Sequence, residues 1–248
     1  CGNGATAHDL SGPGLPPPLG ALVKAVLAGG GRDAKTAVVL VHGGALALEE
    51  GIKGTRCAIL DAHFPGGDTG AAAVADALFG RYNPGGKLTY SVMPSSFAQL
   101  SWFPSLSMSS FPGRSYRFYP TNSSAAPPPW SSGHGLSYSR FSLACVTGGG
   151  KEESSVTVRC DVTNTGSLDG DEVVMLFDAP ITRASAEVPT RQLIDFERVH
   201  VHAGRTASVA FMVAARQLLL QPGAGRCELV ASRGHGEEVR LSVDLAGA

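Results

Sequence analysis

Five residues in the stretch FPGRSYRFYP, residues 111–120, set basic and aromatic groups side by side: Arg114, Tyr116, Arg117, Phe118 and Tyr119. A guanidinium can grip phosphates or hydroxyls, and an aromatic face can stack on a base or a sugar ring. The stretch therefore reads as a nucleic-acid platform, a sugar-binding lip or a packed linker. The chain has 20 basic and 21 acidic side chains and a formal net charge of −1. That balance builds no broad positive field, so nucleic acid is not an expected partner.

Other residue types could do chemistry. VHGG at 41–44 is similar to the strand-end oxyanion loop of lipases and esterases, but that chemistry needs a G-x-S-x-G nucleophile elbow. GRSYR and GSLDG both fail the pattern, and glycines turning a strand end are the simpler reading. FPGGDTG could cradle a phosphate at a helix start, yet it lacks the Lys-Ser/Thr of a P-loop. Asp68 or Thr69 is more simply a helix cap. The seven histidines, His42, His63, His134, His200 and His202 among them, show no i, i+4 pair. His200 and His202 share one strand face and could bind metal, but surface exposure explains them and no metal site is expected. Glu49 and Glu50 form an acidic pair in a loop, expected to be solvated.

Periodicity names the elements that must position these residues. In LGALVKAVLA, 19–28, Leu19, Leu22, Val23, Val26 and Leu27 share a helical face, and Pro16 to Pro18 suit the helix entry. TAVVLVHGG is an apolar run ended by glycines, expected as a strand buried on both faces. CAILDAHFPG repeats that form, TGAAAVADALFG reads as a small-residue helix, and NPGG turns the chain into KLTYSVMP, a further short strand. This is part of an α/β layer fold, and its remainder is expected before residue 1. From 95 to about 139 the chain turns to Ser, Pro, Gly and aromatics, with SSAAPPPWSSG linker-like. Six alternating segments follow: SSVTVRCDVTNTG, DEVVMLFDAP, RQLIDFERVHV, RTASVAFMVA, RCELVAS and EEVRLSVDL. Their spacing fits a β-sandwich.

The remaining signals bear on compartment. No run of about 18 apolar residues exists, so no membrane span is expected. CGNGATAHDLSGPG is neither a signal nor a transit peptide and reads as the start of a fragment or a processed chain. Cys1, Cys57, Cys145, Cys160 and Cys227 are odd in number and lack CxxC spacing, which argues against zinc fingers. Cys160 shares the parity of Val156, Val158 and Val162, marking a buried thiol, with pairing to Cys145 left open. Asn122-Ser123-Ser124 is a glycosylation sequon and hints at secretion.

HFPGGDTGAAAVADALFGRYNPGGKLTYSVMP resembles glycoside hydrolase family 3: a Pro-Gly strand end, a small-residue helix closing in Leu-Phe-Gly, then Asn-Pro-x-Gly-Lys/Arg-Leu. PGRSYRFY followed by GHGLSYSRF resembles the plant-type β-xylosidase branch. NTGSLDGDEVVMLF, RQLIDFERVHVHAG and CELVASRGHGEE resemble the fibronectin type III-like domain that ends many of these enzymes. The likeness runs from about Leu15 to Leu245.

The resemblance implies an α/β sandwich-domain fragment at 1–100, a linker at 101–139 and an all-β fibronectin type III-like sandwich at 140–248. It implies a retaining exo-glycosidase acting on terminal sugars of plant-type polysaccharides, extracellular or in the cell wall. The partner is a carbohydrate bound mainly by a barrel domain that this chain lacks; neither a metal nor an organic cofactor is implied, and oligomeric state is left open. The family's nucleophilic aspartate lies in that barrel. Its acid/base glutamate precedes an Asp-Arg pair; here Asp9 falls on the aspartate, Leu10 replaces the arginine and Thr6 stands where the glutamate is expected. No catalytic residue is therefore assigned, and the chain alone is expected to be inactive. Asp9, Arg114 and Tyr116 are candidate substrate-binding residues and Asn122 a candidate glycosylation site. Interdomain packing and direct substrate contact both stay open for 111–120. Gly67 and Thr89 depart from the family's usual Glu/Gln and Pro. The rival reading is a non-catalytic structural or carbohydrate-interaction module that has lost its barrel.

Overall fold

The computed structural model describes residues 14–29, 35–44, 46–47, 57–94, 96–97, 106–111, 113–119, 127–149, 155–181, 183, 185–218, 226–236 and 238–244. Two compact units emerge. The first comprises Cys1–Tyr82, Val92–Ser105 and Ser124–Trp130; the second comprises Asn83–Ser91, Leu106–Ser123 and Ser131–Ala248.

The first unit is an α/β layer. Helix α1, Pro17–Gly29, begins where prolines lack the N–H groups that a first turn cannot use; the Pro16 carbonyl accepts the Leu19 and Gly20 N–H groups. Its apolar arc is about 140° wide at 3.6 residues per turn, and its halves differ. Val23 and Leu27 pack with Val38, Ile59 and Trp130 around Leu40, whereas Leu19, Leu22 and Val26 are exposed. Strand β1, Thr36–Leu40, pairs in parallel with β2, Cys57–Asp61. Burial alternates along β1, with Ala37 and Val39 outward, so the expectation of two buried faces is corrected: this sheet is packed on one side of β1 among the described residues. Helix α2, Gly67–Leu78, starts at Gly66 without any side-chain cap. Asp68 and Thr69 lie inside its first turn, where the Asp68 carboxylate complements the helix dipole instead of capping. Gly70 is required by contact: a Cβ there would stand 1.5 Å from the Pro65 carbonyl oxygen.

KLTYSVMP is not a strand. Its ladder bonding in the first unit is an isolated antiparallel bridge of Val92 to Trp130, and in the second unit the Leu88 N–H donates to the His134 carbonyl. An extended segment without a continuous neighbour does not build a sheet.

The second unit contains a four-residue helix, α3, Ser115–Phe118, followed by seven strands. These are β3 (Phe141–Gly149), β4 (Ser155–Asn164), β5 (Gly170–Ala179), β6 (Gln192–Val201), β7 (Thr206–Ala214), β8 (Arg226–Ser232) and β9 (Val239–Asp244). They form two antiparallel sheets, β3-β4-β7 and β6-β5-β8-β9. Alternate side chains meet between them: Val158, Cys160 and Val162 of β4 and Phe211 of β7 on one sheet, Leu176 of β5 and Leu229 of β8 on the other, in one core. β3 goes beyond the six strands expected. Cys145 and Cys160 stand opposite each other in the β3–β4 register and form a disulfide, which resolves the pairing that spacing left open. The fold is thus an α/β sandwich-domain fragment followed by a fibronectin type III-like β-sandwich. From Val174 to Ala179 β5 is buried on both faces, because Tyr116 of α3 packs with Met175, Phe177 and Val230 on its outer side. No helix among the described residues is long and apolar enough to cross a membrane.

Candidate functional site

Parallel strands that end together bring the residues after them side by side. Leu40 pairs with Asp61, and beyond them the Ala62 N–H donates to the Leu40 carbonyl (3.0 Å) and the His42 N–H to the His63 carbonyl (3.2 Å). The carboxyl ends of strands are where open α/β sheets bind ligands. Three side chains converge there. His42 Nε2 is 3.0 Å and His63 Nε2 3.7 Å from the same Asp61 Oδ1, with the imidazole centroids 4.9 Å apart. His42 and Asp61 are largely buried, with 12% and 17% of their side chains exposed; His63 is half exposed. The second ring nitrogen of His42, Nδ1, lies against the Gly44 carbonyl. His63 sits at φ 49°, a left-handed backbone for a non-glycine residue, in the turn after β2.

A second constellation lies in the β-sandwich unit, where three sequence motifs meet. Asn83 Nδ2 donates to the Asp169 carbonyl, while its Oδ1 accepts from Ser137 Oγ (2.7 Å) and the Tyr138 N–H (2.8 Å). Lys87 Nζ reaches the Gly135 carbonyl (3.1 Å) and Glu172 Oε1 (2.6 Å), and Arg233 Nη1 is 3.2 Å from Glu172 Oε2. Gly135 is the residue that permits this approach, since a Cβ would lie 2.1 Å from the Gly86 carbonyl oxygen. Burial pushes the Lys87 ammonium below the usual lysine range, opposed by the charge and hydrogen bond of Glu172. Burial lowers His235 too, helped by the positive charge of Lys87.

His200 near the end of β6 and His202 just past it are exposed, as expected, and acidic groups satisfy them. His200 Nδ1 meets Asp171 Oδ1 and His202 Nδ1 meets Asp169 Oδ2, both at 2.7 Å. Arg198 Nε donates to Asp171 Oδ2 at 2.9 Å. Burial alone would raise Asp171, but the hydrogen bonds and charges of His200 and Arg198 prevail and hold it below the ordinary 3.8. Asp169 is lowered by the Ala203 N–H and by His202. Both folded values lie below the unfolded ones. Their contribution is therefore fully present above the ordinary carboxylate pKa and is lost as pH falls through the depressed folded values. Acid unfolding followed by circular dichroism should show a shallower loss of stability below about pH 4 in Asp171→Asn than in the parent.

Residues 5–138 match the Glycosyl hydrolase family 3 C-terminal domain, more than half of the chain, and residues 172–222 match the Fibronectin type III-like domain. The chain belongs to glycosyl hydrolase family 3. "Probable beta-D-xylosidase 6" of Arabidopsis thaliana is 29% identical over 187 residues, 59% of this chain and 23% of that protein. "Periplasmic beta-glucosidase" of Salmonella typhimurium is 34% identical over 186 residues, 71% of this chain and 23% of that protein. Among solved structures, DesR, a β-glucosidase from Streptomyces venezuelae in complex with D-glucose, superposes with a TM-score of 0.76 at 25% identity. That match covers 95% of this chain and 32% of the other. The chain thus spans about a quarter of the length of these curated relatives.

Within this family 3 chain, two of the candidate substrate-binding residues, Arg114 and Tyr116, lie together at α3. Asp9, like Thr6, Glu49, Glu50 and the sequon at Asn122, lies outside the described residues. Arg114 is extended ahead of α3, its N–H donating to the Met108 carbonyl. Tyr116 stacks edge-on to Phe177 with centroids 6.0 Å apart, and its hydroxyl accepts the Leu193 N–H at 3.3 Å. α3 coils residues Ser115–Phe118, and the Thr190 N–H and Oγ1 both donate to the Arg117 carbonyl. Tyr116→Ala should destabilise the unit by about 2 kcal/mol, a discount on full burial, and Tyr116→Phe by about 1. Thermal unfolding distinguishes the two, and an unchanged midpoint in Tyr116→Ala would refute the packing role.

Sequence reasoning missed Glu172, Lys87 and the His42–Asp61–His63 group. Glu172 shares the parity of Val174 and Leu176, which already directed its carboxylate inward. His42 and His63 have no helical spacing in sequence; two strand ends bring them together.

Proposed function

We propose that this chain is the carboxy-terminal portion of a retaining exo-β-glycosidase that releases terminal xylosyl or glucosyl residues from plant-type oligosaccharides and polysaccharides. The observation that carries the reading is the succession of the family 3 C-terminal and fibronectin-like domains along one chain, shared with relatives named β-xylosidase and β-glucosidase. Retaining hydrolysis uses a nucleophilic carboxylate and an acid/base carboxyl roughly 5–5.5 Å apart. In the first unit the described carboxylates are Asp61, Asp68 and Asp76. Asp61 is engaged by two imidazoles, Asp76 pairs with Arg81 at 2.6 Å, and Asp68 lies in the first turn of α2. The reading therefore assigns the nucleophile and the acid to parts of the enzyme outside the described residues. It assigns this chain the layer bearing the β1–β2 strand ends. Exposed Leu19, Leu22 and Val26 on α1 support that layer being covered by further protein.

The disulfide, with a relative named periplasmic, supports a site of action outside the cytosol, extracellular or in the cell wall. The test is hydrolysis of nitrophenyl β-xyloside and β-glucoside by the polypeptide isolated from its source, sized by intact mass, beside the 248-residue chain. Turnover by a longer polypeptide and none by the 248-residue chain is expected. A native chain of this size without turnover would instead support a non-catalytic carbohydrate-interaction module.

A further inference from the structure

The hydrogen bonding of His42 leaves a cation to be supplied. If Nδ1–H donates to the Gly44 carbonyl, a neutral imidazole has its Nε2 lone pair directed at Asp61 Oδ1, 3.0 Å away. Two acceptors at that distance repel unless a positive charge lies between them. A second proton on the ring is one solution, and a metal ion is the other. The ligand spacing accommodates the metal. Tetrahedral zinc with bonds of about 2.0–2.1 Å places its ligands about 3.3 Å apart, and the two nitrogen-to-oxygen edges here are 3.0 and 3.7 Å. All three ligand atoms lie within 4.8 Å of one another.

The surroundings match what a metal-binding histidine needs. A ligating imidazole generally gives its other N–H to a carbonyl or carboxylate, which fixes the tautomer and aims the lone pair; the Gly44 carbonyl does so for His42. His63 is kept in a left-handed backbone, a conformation costing about 1–2 kcal/mol for an L-residue, and that turn puts its Nε2 beside the same oxygen. The exposed Asp169, His200 and His202 group differs. There each histidine Nδ1 has a carboxylate partner at hydrogen-bond distance that its own proton satisfies.

We infer that His42, Asp61 and His63 form a site for a divalent transition-metal ion of the zinc class, with two imidazoles and one carboxylate as ligands and solvent completing the tetrahedron. The site stands at the carboxyl ends of β1 and β2. Its ion is separate from the two-carboxylate chemistry proposed above and does not depend on it.

Calorimetric titration of Zn²⁺ into the full 248-residue chain carrying His200→Ala and His202→Ala tests this without the exposed pair. One saturable equivalent is expected. His42→Ala or Asp61→Asn should weaken it by more than the roughly 10–100-fold that loss of an outer partner brings. Binding that persists in both variants, at a cysteine for example, would overturn the inference. A variant-independent reading comes from imidazole ¹H–¹⁵N correlation spectra of the parent chain. Zn²⁺ should move the Nε2 signals of His42 and His63 together; a response confined to His200 and His202 would refute the site.

Discussion

Glu172→Gln is expected to lower the stability of the β-sandwich unit by about 3–5 kcal/mol, the usual result of removing one partner from a buried ion pair. The Glu172 side chain is 2% exposed, between Lys87 at 9% and Arg233 at 11%. Its two oxygens serve the two cations separately, and Oε1 also accepts the Val173 N–H. A neutral amide would leave an ammonium and a guanidinium facing one another away from water. Desolvation already lowers the Lys87 pKa, so deprotonation of that lysine would relieve part of the loss. Denaturant unfolding of the full chain measures the change, and a double-mutant cycle with Lys87→Met isolates the pair. A loss under about 1 kcal/mol would place the pair among ordinary surface salt bridges and remove its role as the joint of the motifs.

Opening the Cys145–Cys160 disulfide is expected to lower stability by about 3 kcal/mol. The two cysteines are 15 residues apart, and closing a loop of that length restricts the unfolded chain by about that much. Cys160 is fully buried in the core beside Val158 and Val162, so Cys145→Ala with Cys160→Val keeps the volume while removing the bond. Unfolding with and without reductant, compared with this double variant, reads the effect. A parent indifferent to reductant would mean that the bridge does not form, and the support it gives to an extracytosolic site would go with it.

Much of the fold was legible because period and parity speak directly. The spacing of Val23 and Leu27 identified α1, and the parity of Cys160 with Val156, Val158 and Val162 gave the inward face of β4. What spacing could not give was which half of an apolar arc would be covered, and Leu19, Leu22 and Val26 ended exposed. β3 escaped because FSLACVTGG ends in glycines and carries its alternation in Phe141, Leu143 and Cys145 alone. KLTYSVMP has strand composition, but Lys87 is held by Glu172, 85 positions away in the chain, and no sequence window contains both. The candidate metal group was hidden for the same reason, since His42 and Asp61 become neighbours only through the parallel register of Leu40 with Asp61. The family motifs were legible as a pattern, whereas their physical meaning as a hydrogen-bonded joint of Asn83, Lys87, Gly135 and Glu172 required the structure.

The most direct measurement is to trap the glycosyl-enzyme intermediate of the polypeptide isolated from its source. A 2-deoxy-2-fluoro glycoside of the hydrolysed sugar slows turnover of the covalent adduct that retaining enzymes form, and peptide mapping then locates it. One labelled carboxylate is expected on that polypeptide, in sequence lying outside the 248 residues of this chain. A label on a carboxylate within them, on Asp61 for instance, or hydrolysis without any adduct, would contradict it.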